Sequence, residues 1–235
     1  MIVLSGAGIS TDSGIPDFRG PNGLWTKNPQ AEKTATLSYY MNDPEVRMAA
    51  WEGRLRSEAW AAKPNRAHFA VADLERRGKL VAVVTQNVDG LHQMAGNSND
   101  RVIEVHGTLH RTVCMTCGDK LAMIDVLERV RAGEVDPPCE LCGGILKSDT
   151  ISFGQNLVPE VIRAAQIAVS ECDLLIAVGT TLAVYPAAGL VPQAQRGGAR
   201  VVIVNGQRTE MDGLADVVVN GDIGVELPAI LDFIG

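Results

Sequence analysis

The chain reads as an α/β protein, a parallel sheet with helices on both faces, carrying a helical insert and a small inserted cysteine module. Three observations predict this class. The runs 1–4, 80–85, 173–178 and 200–204 are apolar without alternation, as befits strands buried on both faces of a parallel sheet. Segments with helix start and stop signals lie between them, and a strand–helix alternation implies a doubly covered sheet. Two Cys-x-x-Cys pairs break that rhythm once, between Cys114 and Cys142.

The first strand runs into Gly6-Ala7-Gly8-Ile9-Ser10. The glycines allow a sharp turn and a close approach to a ligand. The residues after them can open a helix whose free N–H groups favour an anion such as a pyrophosphate. Ser10, Asp12 and Ser13 are capping types, and Gly14-Ile15-Pro16 stops the helix soon after it begins. Asp17-Phe18-Arg19-Gly20 continues into residues 21–29, which read as loop. A dehydrogenase would instead run through a long helix to a second strand ending in an acid. A strand-to-helix turn without any ligand fits the two glycines equally well, so they do not decide alone.

Residues 31–62 have an interrupted helical pattern with a start at Asp43-Pro44. Pro64-Asn65 predicts a turn and N-cap for a helix from 66 to 77 that ends at Gly78. The strand 80–85 leads into the loop 86–92, and 101–105 is a further short strand ending at His106-Gly107. Beyond the cysteine module the αβ rhythm resumes at 150–153. A helix over 159–171, a strand over 173–178 and the loop Gly179-Thr180-Thr181 follow. A helix over 185–196, strands over 200–204 and 216–219, and a closing helix over 225–233 complete the chain. The chemistry-bearing loops leave the carboxyl ends of strands, where open α/β sheets bind ligands.

At 235 residues the chain can bury a substantial core. Its 46% hydrophobic and 21% charged residues are those of an ordinary globular protein. Aromatics make up only 4%, which argues against a base-stacking surface. The net charge of −7 opposes non-specific nucleic-acid binding and favours basic partners such as lysine-bearing peptides. No apolar run reaches the length of a membrane span, and no basic leader precedes the first strand, so a cytoplasmic, reducing setting is expected.

Cys114-Met-Thr-Cys117 and Cys139-Glu-Leu-Cys142 have the spacing of a tetrahedral four-cysteine Zn²⁺ site, and each pair is followed by glycine. Four sulfur ligands leave no open position for water, so the ion is expected to be structural. A redox dithiol would not need two matched pairs, and few basic residues flank the knuckles as a nucleic-acid zinc ribbon would require. Cys172 reads as a small core residue.

The run Gly6-Ala7-Gly8-Ile9-Ser10, with Ser13-Gly-Ile-Pro-Asp17-Phe18-Arg19, resembles the signature of the sirtuins, NAD-dependent protein deacylases. Gln86-Asn87-Val88-Asp89, His106-Gly107 and Gly179-Thr180-Thr181 are similar to that family's later motifs, and the likeness covers essentially the whole chain. The resemblance implies a Rossmann-like NAD-binding domain from 1–30, 65–112 and 148–235. It also implies a smaller domain made of the helical insert 31–64 and the zinc module 113–147.

It further implies NAD as co-substrate, contacted by Gly6, Ala7, Gly8, Asp17, Phe18, Arg19, Gln86, Asn87, Asp89, Gly179, Thr180, Thr181, Asn205 and Asp222. Acetyl-lysine peptides would lie against Val88, Ile151, Phe153, Gly154 and Leu182. His106 and Asn87 would be catalytic, with His106 as general base. An imidazole at a strand end before glycine is otherwise an even choice between catalytic and structural, and an Asn/Asp turn capping its own backbone is the plain reading of 86–89. The likeness loosens at Lys147-Ser148 and Gln155. Trp51-Glu-Gly-Arg54 supplies the arginine but not the tyrosine of members that remove acidic acyl groups, which favours acetyl. Mono-ADP-ribosyl transfer, a longer acyl chain, a non-catalytic NAD sensor and a hydride-transferring dehydrogenase are the alternatives, the last disfavoured by the missing second-strand acid.

Overall fold

A computed structural model describes residues 1–18, 20, 23–28 and 31–234. Six strands form one parallel sheet: β1 (Ile2–Ser5), β2 (Ala82–Thr85), β3 (Val102–Glu104), β7 (Leu174–Val178), β8 (Arg200–Asn205) and β9 (Val217–Asn220). Their order is β3-β2-β1-β7-β8-β9, and every pairing is parallel. The chain builds outward from β1 to one side, then crosses back to build outward from β7 on the other. This is the arrangement that opens a ligand crevice between the two central strands.

The central strands β1, β2 and β7 are mainly apolar because both faces are covered. Ile2, Leu4, Val84, Leu175 and Val201 pack on one face beneath α8 (Pro159–Ser170) and α9 (Leu190–Arg196). Val3, Val83, Ile176 and Val204 pack on the other, beneath α5 (Arg66–Arg76) and α10 (Ile223–Phe233). The alternation of Ile2, Val3 and Leu4 between the two clusters is the period-2 rule of a pleated strand.

The insert after the first loop is α1 (Leu24–Lys27), α2 (Ala31–Thr34), α3 (Leu37–Asn42) and α4 (Pro44–Leu55). Asp43 caps α4, its Oδ1 accepting from the Glu45 N–H at 2.9 Å, with Pro44 in the first turn. Likewise Asn65 caps α5, and Gly78 takes φ +69° just past that helix.

A second sheet is antiparallel: β4 (Gly107–Cys114) lies between β5 (Lys120–Ala122) and β6 (Leu146–Thr150). Its core is Trp51 of α4, Met123, Val126 and Leu127 of α7 (Met123–Arg131), Leu146, Cys114 and Cys139. Tyr40 of α3 donates its hydroxyl to the Leu146 carbonyl at 2.8 Å, joining the helical insert to this sheet.

The structure departs from the expected elements in three places. The strand expected over 150–153 ends at Thr150 and belongs to the small sheet. Lys147 and Ser148 are buried in register with Val113 and Thr112 of β4, Asp149 pairs with Arg111 and Lys120, and Phe153 forms an isolated bridge to Thr36 of the helical insert. β4 starts at Gly107 and β6 reaches Thr150, so the small sheet extends past both ends of segment 113–147. Residues 24–27, read as loop, make one helical turn, with the Trp25 N–H bonded to the Phe18 carbonyl at 3.0 Å. Among the described residues no helix is long and apolar enough to cross a membrane.

Candidate active site

Gly6 follows β1 and Gly179 follows β7, so the two loops leave the sheet at the point where strand order reverses. The Gly8 N–H donates to the Gly179 carbonyl at 2.8 Å. A Cβ on Gly6 would sit 2.7 Å from the Gly179 oxygen, and one on Gly8 2.8 Å from the Gly179 Cα. These glycines are therefore needed first for the mutual approach of two protein loops, whereas the sequence suggested approach to a ligand. After Gly6 the chain makes a 3₁₀ helix over Ala7–Ser13, which Gly14 ends in the left-handed region at φ +86°.

A cavity of about 1750 Å³ opens over these loops. Its walls hold Gly6, Ala7, Gly8, Asp17, Phe18, Gln86, Asn87, Val88, Asp89, His106, Ile151, Phe153, Gly154, Gly179, Thr180, Thr181, Asn205 and Asp222. Residues far apart in sequence thus converge on one concavity. Arg19 lies outside the described residues. Leu182 differs from its expected place: it is 1% exposed, packed in the core cluster under α8 and α9, and takes φ +54°. The turn after Thr180 drives its side chain inward, because the Leu182 N–H is held by the Thr180 hydroxyl at 3.2 Å.

The floor of the cavity is a polar network. Gln86 Nε2 donates to Thr180 Oγ1 at 2.9 Å, joining the β2 loop to the β7 loop. Asn87 Nδ2 donates to the Gly6 carbonyl at 3.2 Å and to Ser10 Oγ at 3.1 Å. Ser10 Oγ donates to Asp89 Oδ2 at 2.7 Å, while Asp89 Oδ1 accepts from the Leu91 N–H at 3.0 Å. Asp89 therefore also makes the self-capping turn that the plain reading of 86–89 anticipated. Asp222 caps α10 through the Gly224 N–H at 2.9 Å, and Asn205 Nδ2 holds the Gln207 carbonyl at 2.9 Å.

His106 sits between β3 and β4. Its Nδ1 lies 3.1 Å from the Gln86 carbonyl, which can only accept, so Nδ1 carries the proton and Nε2 keeps its lone pair. Burial lowers the pKa of this imidazole, and the bond to Gln86 opposes that only in part. The ring is therefore a neutral base at neutral pH. The His106 carbonyl in turn accepts from the Ile151 N–H at 2.8 Å, tying the base to the segment that carries Ile151 and Phe153. Phe18, Trp25 and Phe153, which also line the cavity, form an aromatic row with centroids 4.7 and 5.2 Å apart.

Ser10, Trp25 and Ser148, to which the sequence reading gave no site role, also line the cavity, as does Arg54, which was weighed there only as an acyl-group determinant. Arg54 projects its guanidinium over the rings of Tyr40 and Trp51 and donates to Ser148 Oγ at 3.1 Å. Among the described residues its buried Nη1 has no hydrogen-bond partner, and burial lowers the pKa of the guanidinium. The spacing of Trp51 and Arg54 on α4 was the available signal for Arg54. Ser148 stood out only as a departure from the family pattern, and no residue pattern assigned Trp25 to the cavity.

In the small sheet the Sγ atoms of Cys114, Cys117, Cys139 and Cys142 all lie within 4.8 Å of one another. Cys114 and Cys142 are 3.5 Å apart, and Cys117 and Cys139 are 3.8 Å apart. A tetrahedral ion with Zn–S bonds of about 2.3 Å requires S···S separations of roughly 3.8 Å, so the four thiols fit Zn²⁺. The N–H groups of Thr116 and Cys117 point at Cys114 Sγ from 3.4 and 3.5 Å, the donor arrangement a thiolate needs.

Fold and site together define a class, an NAD-type crevice at a sheet switch point with a separate four-cysteine module, and comparison with known proteins agrees. The Sir2 family model matches residues 6–186, and the chain belongs to that family. It is 55% identical to NAD-dependent protein deacetylase 2 of Streptomyces coelicolor over 99% of this chain and 97% of that one. It is 45% identical to the NAD-dependent protein deacetylase of Sulfolobus acidocaldarius, covering 99% and 89%. A solved structure of Sir2 with a p53 peptide and NAD⁺ superposes with a TM-score of 0.88 at 35% identity, covering 99% of this chain and 92% of that one.

Proposed function

We propose that the protein is an NAD-dependent protein-lysine deacetylase, which converts acetyl-lysine, NAD and water into lysine, nicotinamide and O-acetyl-ADP-ribose. The observation that carries this reading is the neutral His106 imidazole, its Nε2 lone pair unused, on the wall of the cavity that the Gly6, Gln86 and Gly179 loops share. The relatives' printed activity supports it. When bound, NAD supplies a sugar carbon carrying a neutral leaving group.

The chain's own residues do the rest. Gly6, Ala7, Gly8, Gly179, Thr180 and Thr181 would hold the phosphates and adjacent sugar, with Asn205 and Asp222 toward the adenosine end. Gln86 and Asn87 each spend their side-chain N–H groups on protein acceptors, so what they offer a ligand is a carbonyl oxygen. His106 Nε2 accepts the proton that the reaction releases. Val88, Ile151, Phe153 and Gly154 would bracket the acyl-lysine, and the Phe18–Trp25–Phe153 row would exclude water from the reacting carbon.

In this reading the six-stranded sheet and its helices form the NAD domain, and the helical insert with the zinc module forms the second domain. The ion is structural, and the protein works in the cytoplasm. Mass spectrometry of the protein incubated with NAD and an acetyl-lysine peptide tests the activity. Free lysine peptide, nicotinamide and O-acetyl-ADP-ribose should appear together, only with the peptide present, and faster than with a succinyl-lysine peptide. ADP-ribose attached to protein instead would overturn it.

A further inference from the structure

The reaction as described uses one histidine of four. Of the others, His68 and His92 are buried side by side beneath the glycine loop, 0% and 1% exposed, with ring centroids 5.1 Å apart. Neither lines the cavity. Burying an imidazole costs free energy unless its ring nitrogens are satisfied, so what they hold matters.

His68 Nε2 is 3.5 Å from Ser10 Oγ, a long contact whose direction its neighbours determine. Ser10 has one hydroxyl proton, and the Asp89 carboxylate at 2.7 Å, which can only accept, takes it. Toward His68 the Ser10 oxygen can therefore only accept, and His68 must donate from Nε2. The bare Nδ1 then receives the Asn65 main-chain N–H at 3.4 Å, closing the capping box of α5. The Asn65 Oδ1 beside it, 3.1 Å from Nδ1, already accepts from the main-chain N–H groups of Ala67 and His68.

With one proton committed to Asp89 and one lone pair to His68, Ser10 has one lone pair left, which takes the Asn87 Nδ2–H at 3.1 Å. The second Asn87 N–H goes to the Gly6 carbonyl. A flipped Asn87 amide would place its oxygen against that carbonyl, so the amide has one orientation, with its oxygen left for a ligand.

We propose that His68 is a positioning residue for the reaction. Acting through Ser10, the donated Nε2–H occupies the Ser10 lone pair that Asn87 does not use, and so holds the Ser10 oxygen in place between the Asn87 amide and the Asp89 carboxylate. The inference rests on the deacetylase reading for its consequence but on ligand-free geometry for its existence. Burial supports it by keeping the ring neutral, its pKa pushed down to about 4, so that the single-proton tautomer persists at neutral pH.

The test has two arms. In ligand-free protein, ¹⁵N NMR of the imidazole should show His68 neutral with its proton on Nε2; a proton on Nδ1 overturns the proposal whatever the activity. Steady-state kinetics on wild type, H68L, H68Q, S10A and S10A/H68L supply the second. H68L should lose roughly ten- to a hundredfold in kcat through misplacement of the ligand-facing groups. H68Q, whose amide can both donate to Ser10 and accept from Asn65, should recover most of that loss.

In the S10A background H68L should cost nothing further, because its route to Asn87 is already cut. An equal cost in both backgrounds, or no rescue by H68Q, overturns the proposal and leaves His68 as packing only. Should H68L fail to fold, H68Q and S10A still permit the comparison, and the NMR arm stands alone. Wild type inert toward acetyl-lysine would sink the deacetylase reading and leave the tautomer assignment intact.

Discussion

The main-chain carbonyl of Gln86 lies 3.1 Å from His106 Nδ1 and accepts its proton, so the residue that joins the β2 and β7 loops also sets the tautomer of that imidazole. Gln86 Nε2 reaches Thr180 while its carbonyl reaches His106, and a shift of the β2 loop would disturb both at once. The imidazole is thereby coupled to the loops that line the cavity.

Replacing His106 by alanine removes the proton acceptor and leaves the sheet untouched. Product formation should fall by about 10²–10⁴-fold, the range of a general base, with the circular-dichroism spectrum and melting temperature near wild type.

Because burial depresses the His106 pKa, Nε2 is free to accept a proton down to a pH below the ordinary imidazole range. The acid limb of kcat/KM for the peptide should therefore fall below pH 6.5. A limb centred above 6.5 would contradict the burial of the ring.

Stability should respond to acid through the other buried pair. His68 and His92 have folded pKa values pushed down to about 4 and about 3, mainly by burial, whereas each unfolds to an imidazole near 6.5. Below pH 6.5 the unfolded chain binds more protons than the native one, so stability falls as pH drops toward 4. The slope is about 1.4 kcal/mol per pH unit for each imidazole. Urea unfolding at several pH values between 7 and 4.5 measures the slope, and H68Q should flatten it by one group's share.

Gly179 has φ +61°, and a Cβ there would meet the Ile9 nitrogen at 2.4 Å. G179A should cost roughly 2–5 kcal/mol by combining backbone strain with overpacking. G133A, at φ +108° with open space around it, should cost only the strain. Comparing the two by denaturant unfolding separates the terms.

Cys139 and Cys114 lie in one small core with Trp51, which is fully buried. C139S should lower bound zinc by elemental analysis and red-shift tryptophan emission as that core loosens. The six-stranded sheet, with cores of its own, should keep its secondary structure.

Local order was legible wherever one physical rule acted within a few residues. Unalternating apolar runs placed four of the six parallel strands, Asn65 and Asp43 announced their helices, and paired Cys-x-x-Cys spacing marked the metal module. Reading failed where a segment's partner lay far away. Residues 147–150 are polar, and only pairing with β4 makes them a strand; residues 24–27 fold into a turn because Phe18 and Asp17 supply carbonyls to it.

By itself, the sequence determined that a glycine turn, an Asn-Val-Asp loop and a strand-end histidine would exist, and that four thiols could share an ion. Residue types and short spacings carry that much. Only the tertiary structure decided that Gly6 must be glycine to meet Gly179, that Leu182 turns into the core, and that His68 reaches Asn87 through Ser10. Hydrogen-bond direction depends on which donors and acceptors meet, and the side-by-side placing of β2, β1 and β7 at the centre of the sheet settles those meetings over separations that no local pattern records.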